Sequence, residues 1–569
     1  MVGSDLLAKE LVAHGVEVVF VFTGGAISSI IDSVKNIGIK IIPYDHELDA
    51  VYAAEGYVRS AIKPTAILVT SGPGATNTIT GIAGSWFDSV PILVISGQVK
   101  SFEKTDFKLC LQRGFQEIDF IKSISQFSKY AVTIDASEEI LPKTRKAFRE
   151  MLNGRPGPAI LDVTMDAQMT EIQNINNENY KYPDFRGLLN SGLHHHDNIS
   201  QDNSNIKTLV EKIRIAKNPV ILFGGGVQWL PNDLFRRAIE ALGVKCVSTY
   251  PGVNAMPLNH NLFYGFIGSF GHPEANKIIL DASDIFILGA RLPHRSIPAY
   301  SQELKSKFLK IKKFVLSNEI KEFTNHPIGS LEQVYYGSLY NFSKYVCDQA
   351  ITSKKIEKTV KLNIPKSMFV SPLSDKRTGI YTVSNLIAAL NDNIPTRSHI
   401  YVDTGQNSVA LCLGLTRDRE QKLFSSWANS PMGYSLPAAL GSAETNKVEK
   451  SVCIIGDGGI RTALSSFPNL RKLRGKIKLI IWDNSGYQTI VDHIEKMLGG
   501  RKVAVTNDSG LANFSLVNVL RAFDLKVFEA TGVLSSDMKS FFEEDYDALI
   551  VKIDSSIRMI PNSPLQSLE

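Results

Sequence analysis

Asp457 and Asn484 are the residues whose types and spacing point most directly to chemistry. Asp457 stands in Gly456-Asp457-Gly458-Gly459 directly after the apolar run Val452–Ile455, and Asn484 follows a second apolar run, Ile477–Trp482, 27 residues further on. Two strand ends joined by a crossover helix bring a carboxylate and an amide oxygen to one edge of a parallel sheet, where α/β proteins bind ligands. With the backbone carbonyl of Gly486 they form a hard-oxygen set suited to Mg²⁺ or Ca²⁺, diphosphate oxygens completing the shell. The flanking glycines let the backbone come close to such a ligand. The same residues also read as a tight turn and a strand-end cap, and alone they do not choose.

The elements that must position this pair are legible as alternating apolar runs and helical patterns. Residues 1–170 carry Val18–Phe22, Ile39–Ile42, Ala66–Val69, Ile92–Ile95 and Ala159–Val163; a second series holds Asn218–Gly226, Asp284–Leu292 and Lys313–Asn318. A third holds "HIYVDTGQN", "SVCIIGDGG", "KLIIWDNSG" and "ALIVKI". This alternation predicts α/β architecture, three consecutive doubly wound parallel-sheet domains. The expected boundaries are 1–170, a polar linker 171–205, a central domain 206–343, a second connector 344–378, a third domain 379–562 and a tail 563–569. His194-His195-His196, in a stretch of Asn and Ser, reads as solvated linker, with a tag-like or metal-binding origin as the alternative.

A length of 569 residues suits about three domains. Hydrophobic content of 44% and charged content of 21% are ordinary globular values. The net charge is only +5, and no long basic run interleaved with aromatics occurs, so nucleic acid is not an expected partner. Five scattered cysteines read as reduced core thiols in a cytosol. Met1–Ala13 lacks the pattern of a signal peptide, and no apolar run is long enough to cross a bilayer. A cytoplasmic protein without membrane partners is expected.

Beyond the pair, Gly-Asp-Gly followed by Asn after this interval resembles the diphosphate-binding motif of thiamine diphosphate (ThDP) enzymes. "YDHELDAVYAAEGYVRS", "TSGPGATNTITGIAGSWFDSVPILVISGQV" and "SPMGYSLPAALG" resemble, in order, blocks of the acetolactate-synthase-like members. The likeness spans nearly the whole chain. It implies pyrimidine-binding, central and diphosphate-binding domains, ThDP and Mg²⁺ as cofactors, and a 2-keto acid as donor. It implies that Glu47 hydrogen-bonds the aminopyrimidine N1′, favouring the tautomer that takes the C2 proton. Pro73 and Asn77 would face the pyrimidine, and Met432, 25 residues before Asp457, would hold the two rings bent. Gly405, Gln406, Gly458 and Gly459 would serve the diphosphate, and Asp457, Asn484 and Gly486 the metal. From residue type alone, Glu47 is also a helix-start acid and Met432 a core methionine; His46 is expected to be structural. Asn407 replaces the family's usual His, so no side-chain contact is carried over there. In this family Glu47 and Asp457 meet from different subunits, which implies a homodimer or homotetramer.

The reaction is narrowed by what is missing. Decarboxylase members place a His-His pair after the pyrimidine-side strand, whereas "DFKLCLQRGFQEIDF" contains no histidine. It matches the carboligase pattern at Phe115, Gln116 and Glu117, with Gln116 the candidate for positioning the keto acid or acceptor. Two departures from acetolactate synthase concern the acceptor. Thr164-Met165-Asp166-Ala167-Gln168 replaces Pro-Lys-Asp-Ile-Gln, and Pro293-His294-Arg295 replaces Asp-Asp-Arg. Arg295 could fork onto an acidic group; Arg291 and Arg295 read equally as surface ion-pair partners. These changes, with blocks similar to ThDP enzymes of surface-sugar biosynthesis, put a nucleotide-linked keto-sugar among the acceptors. Acetolactate synthase proper and a simple 2-keto-acid decarboxylase are the alternatives. Gly224-Gly225-Gly226 and Arg291 resemble part of the family's FAD site, so a structural FAD stays open beside a plain βα turn.

Overall fold

The structure, a computed structural model, describes residues 1–172, 180–191, 199–231, 233–292, 302–323, 328–349, 369–370, 379–418, 420–445 and 447–559. Arg295, with Pro293 and His294, and the His194–His196 run lie outside the described residues. The chain divides into two compact units, Met1–Leu189 with Ala428–Ser451 and Thr462–Ile477, and Asn190–Trp427 with Val452–Arg461 and Lys478–Glu569. Among the described residues no helix is long and apolar enough to cross a membrane.

The first unit contains β1 (Val18–Val21), β2 (Lys40–Pro43), β3 (Ala66–Val69), β4 (Leu93–Gln98), β5 (Tyr130–Ile134) and β6 (Ala159–Thr164). They form a parallel sheet in the order β2-β1-β3-β4-β6-β5. Its central strands are buried along their whole length, which is why they read as continuous apolar runs rather than alternating ones. The chain leaves β1 for β2 on one side and returns to β3 on the other. The edge between β1 and β3 is therefore a topological switch point, where loops diverge and leave a crevice.

Helix Glu47–Ala61 follows β2. Its start is capped by His46, whose Nδ1 accepts from the Leu48 amide at 3.1 Å. Its small residues allow very close packing against helix Ser435–Ala443. A Cβ on Gly56 would lie 1.9 Å from the Ala438 carbonyl oxygen, and one on Gly441 would lie 1.8 Å from that of Ala53. Beside this contact, buried Arg59 donates to Glu55 Oε1 (2.9 Å) and Asp88 Oδ2 (3.0 Å), and Tyr434 donates to Glu55 Oε1 (2.8 Å). Removing one partner from such a cluster strands a buried charge, at about 3–5 kcal/mol.

The second unit holds two more six-stranded parallel sheets. The first is built from β7 (Pro219–Phe223), β8 (Cys246–Ser248), β9 (Phe263–Phe266), β10 (Asp284–Leu288), β11 (Lys312–Ser317) and β12 (Leu331–Tyr336). Its order, β12-β11-β10-β7-β8-β9, is the doubly wound order of dinucleotide-binding folds, with its switch point between β7 and β10. A short strand, β13 (Phe369–Val370), pairs antiparallel with β20 (Arg558–Met559). The last sheet is built from β14 (Ser398–Val402), β15 (Lys422–Phe424), β16 (Lys450–Gly456), β17 (Ile477–Asp483), β18 (Val527–Glu529) and β19 (Ala548–Lys552). Its order, β15-β14-β16-β17-β19-β18, repeats the first sheet strand for strand and puts its switch point between β14 and β16.

Two connectors differ from expectation. Helices Phe185–Ser191 and Ile199–Ile215 occupy part of the stretch read as linker, and helix Leu339–Asp348 runs past the expected end of the central domain. Polar composition hid the second helix, whose buried side chains include Ile206, Leu209, Val210 and Ile213. The close helix approach gives a test. Gly441→Val should lower stability by about 2 kcal/mol or more, because backbone must move to admit the side chain; a urea midpoint equal to that of the unaltered chain would refute it.

Candidate active site

At the first sheet's switch point, the end of β3 runs into Ser71-Gly72-Pro73-Gly74, with Pro73 opening the short helix Pro73–Thr76. The Glu47 side chain is 4% exposed, and its Oε2 accepts from Asn77 Nδ2 at 2.9 Å. A Cβ on Gly74 would sit 3.6 Å from Glu47 Oε1 and 2.8 Å from Thr70 Cγ2, so the turn passes directly beside the carboxylate. Gln116 adopts φ +63°, and its carbonyl lies 2.7 Å from where a Gly72 Cβ would be. The first unit therefore gathers Glu47, Pro73, Asn77 and Gln116. Phe115, in the same loop, is 85% exposed in its own chain. Glu117, to which no role was assigned, pins this loop: it is buried and accepts from Thr105 Oγ1 (2.7 Å) and the Gly114 amide (3.1 Å). Met432 is 39% exposed and precedes helix Ser435–Ala443, so it is not a core methionine in this unit.

In the second unit, Asp457 opens the turn after β16 and Asn484 follows β17 directly. Both side chains are buried. Asn484 donates Nδ2 to Gln406 Oε1 at 3.2 Å. Its Oδ1 then faces Asp457 Oδ1 at 3.1 Å and the Gly486 carbonyl oxygen at 3.2 Å. Acceptors set this way are relieved by a cation among them, by a proton on Asp457, or by reversal of the Asn484 amide, whose nitrogen would then donate to Asp457 and Gly486. Adjacent ligands on octahedral Mg²⁺ stand about 2.9 Å apart, and somewhat farther apart on Ca²⁺, so the spacing fits a hard divalent ion. Gly458 and Gly459 are fixed by crowding, since a Cβ on either would meet the Tyr487 ring at 2.6 Å or Asp403 Oδ2 at 2.1 Å. Across the switch point, Gly405 (φ +124°) introduces helix Gln406–Gly414. The buried Nδ2 of Asn407 in its first turn has no protein partner. A helix N-terminus carrying an unspent donor is suited to a phosphate oxygen.

Three family models describe the chain in order. They are the N-terminal TPP binding domain of thiamine pyrophosphate enzymes over residues 1–123, the central domain over 206–322, and the C-terminal TPP binding domain over 403–551. The chain belongs to the thiamine pyrophosphate enzymes. It is 27% identical to an acetolactate synthase large subunit of Lactococcus lactis, over 99% of this chain and 94% of the relative. It is 29% identical to one of Buchnera aphidicola, over 88% and 85%, and 29% identical to the isozyme 3 large subunit of Escherichia coli, over 81% and 78%. This thiamine pyrophosphate enzyme is an acetolactate synthase-like decarboxylase or carboligase.

The central sheet brings Gly224–Gly226 and Arg291 to the ends of adjacent strands at its switch point. There the glycines have a packing reason of their own. A Cβ on Gly224 would meet Ala290 at 2.7 Å, and one on Gly226 would meet Gly289 at 2.8 Å. Arg291 Nε lies 3.9 Å from Glu322 Oε1, the ion-pair reading of that residue.

Burial, reinforced by neighbouring Asp483, raises the pKa of Asp457 from 3.8 to about 7, against weaker lowering by the Asn484 and Gly486 amides and Arg461. Without a cation the folded chain thus holds a proton that the unfolded chain has lost above pH 4. This group's contribution to stability therefore falls as pH rises from about 4 to about 7. A cation displaces the proton. Divalent-ion uptake in the presence of ThDP should release close to one proton at pH 6 and far less at pH 8, read by calorimetry in buffers of different ionisation enthalpy.

Proposed function

We propose that this enzyme decarboxylates pyruvate or a similar small 2-keto acid and ligates the acyl unit to a second carbonyl compound, with ThDP and Mg²⁺ bound. The oxygen set of Asp457, Asn484 and Gly486 carries this reading, because its donor chemistry and spacing suit a hard divalent ion. When bound, ThDP supplies the nucleophilic carbon and the electron sink that decarboxylation needs. Asp457, Asn484 and Gly486 hold the ion; Gly405, Gln406, Gly458 and Gly459 offer backbone groups to the diphosphate, and Asn407 Nδ2 a donor. Glu47 shares a proton with the pyrimidine ring nitrogen, a task its burial favours because a neighbouring base in a water-poor site strengthens the bond. Pro73 and Asn77 would line the same ring, and Met432, partly exposed in its own unit, would give the cofactor an apolar support. Glu47 and Asp457 serve one site from two copies of the chain, so the active form is a homodimer or a pair of dimers.

Carboligation rather than aldehyde release follows from the 106–120 segment, which offers no histidine to protonate the product. Gln116, its backbone seated against Gly72, orients the keto acid or acceptor. The relatives' names favour a second 2-keto acid as acceptor, making acetolactate. A keto-sugar acceptor rests on one observation. Asp166 accepts from the Ser101 amide at 3.0 Å and Gln168 donates to the Ala26 carbonyl at 2.7 Å, so this segment serves as a brace. Met165, where acetolactate synthase has lysine, brings no charge for a second carboxylate. FAD, if bound, sits at the β7/β10 switch point in a structural role. The five cysteines form no disulfide with one another, which suits a reducing cytosol.

Incubation with labelled pyruvate, ThDP and Mg²⁺ should give slow CO₂ release alone and faster release with the correct acceptor, the ligation product being identified by mass spectrometry against keto acids and keto-sugar nucleotides. Glu47→Gln should lower turnover about 100-fold or more. Fast, acceptor-independent aldehyde formation would overturn the carboligase assignment.

A further inference from the structure

Amide oxygens and nitrogens have nearly the same shape, so a metal-facing Asn holds its orientation only if something behind it does. Reversing Asn484 would let its nitrogen donate to Asp457 and Gly486, which would close the cation site. The reversal would also turn its oxygen onto Gln406 Oε1, 3.2 Å away. Gln406 could relieve that clash by reversing too, but it is held in turn. Its Nε2 donates to Asp492 Oδ2 at 2.9 Å, and Asp492, from helix Gln488–Met497, can only accept when ionised. A reversed Gln406 would set its oxygen against that carboxylate. Asp492 is itself placed from the far end of the chain, where the Met559 amide in β20 donates to the same Oδ2 at 3.2 Å.

We propose that Asp492 is a positioning residue for the cation, acting through Gln406 to keep the Asn484 amide oxygen turned toward Asp457 and Gly486. The relay runs carboxylate, amide, amide, ion, and each link has a single polarity. Gln406 thereby has a side-chain task distinct from any contact its backbone makes with a diphosphate. Asp492 touches neither ion nor cofactor. Its contribution is to exclude the state in which Asn484 satisfies the site's oxygens by itself, and so to keep the site open for a metal. The inference rests on the ThDP reading above.

The test is Mn²⁺ binding in the presence of ThDP, with free Mn²⁺ counted by electron paramagnetic resonance, which needs no turnover. Asp492→Ala should bind Mn²⁺ about 10- to 100-fold more weakly, the usual range when an outer partner of a ligand is lost. Asp492→Asn, which keeps one acceptor oxygen, should stay within about threefold of the unaltered chain. Gln406→Leu should weaken binding as Asp492→Ala does, and the double variant should be no weaker than either alone, because both cut one relay. Gln406→Leu carries the test if Asp492→Ala does not fold. Unaltered protein that takes up no Mn²⁺ with ThDP would sink the ThDP reading itself. Tight uptake by the unaltered chain with unchanged affinity in both single variants, or fully additive losses in the double variant, would sink the relay alone.

Discussion

Everything at the diphosphate end depends on an unfavourable arrangement of oxygens. Asp457, Asn484 and Gly486 point acceptors at one another in a buried turn, and burial together with Asp483 raises the Asp457 carboxyl to about pKa 7. Such a cluster is costly when empty and favourable around a divalent ion, because one charge relieves several repulsions at once. The glycines beside it, crowded by Tyr487 and Asp403, and the polar relay behind it maintain a geometry the cluster would not choose alone. Polar atoms that the fold leaves without partners there, such as Asn407 Nδ2, follow the same logic of groups held ready for a ligand.

The repetition of strand order between the first and last sheets gives this cluster its counterpart. In each sheet the loops after the first and third strands flank a switch point. In the first sheet the loop after the third strand leads to Asn77, while Glu47 follows the second strand; in the last sheet the two loops carry Gly405 and Asp457. Each sheet thus presents a buried carboxylate near its switch point, Glu47 in one and Asp457 in the other. Their environments differ. Glu47 accepts a hydrogen bond from the Asn77 side chain, whereas Asp457, besides accepting from the Asn484 and Gly486 backbone amides, has the Asn484 oxygen 3.1 Å from its Oδ1. The central sheet uses the other doubly wound order, and at its switch point Gly224 and Gly226 are required by contact with Gly289 and Ala290.

Much of this was legible in the chain. Strands buried on both faces leave continuous apolar runs, so β1, β3, β4, β7, β10, β16 and β17 could be read directly, and three α/β domains with them. The position of Asp457 and Asn484 at strand ends followed from where those runs stop. Helix Ile199–Ile215 was hidden because its first half carries few apolar residues and its composition imitates a linker. The direction of Phe115 was not legible, because sequence gives no side-chain direction in a loop; in its own chain it is 85% exposed. Glu117 was legible as part of the pattern around Gln116 but its task was not, since a carboxylate that ties a loop together looks the same as one in water until the loop closes on it.

The amino-acid order by itself determined the fold class, the family and the chemical type of the principal residues. These depend on local patterns: apolar run length, glycine placement, and the interval between a carboxylate and an amide. Tertiary structure alone decided which way those groups face. The orientation of the Asn484 oxygen comes from Gln406 and Asp492, 78 and 8 residues away, and the closeness of helices Glu47–Ala61 and Ser435–Ala443 comes from glycines nearly 400 positions apart. Hydrogen-bond polarity and steric contact act over a few ångströms of space, and only folding determines which distant residues share it.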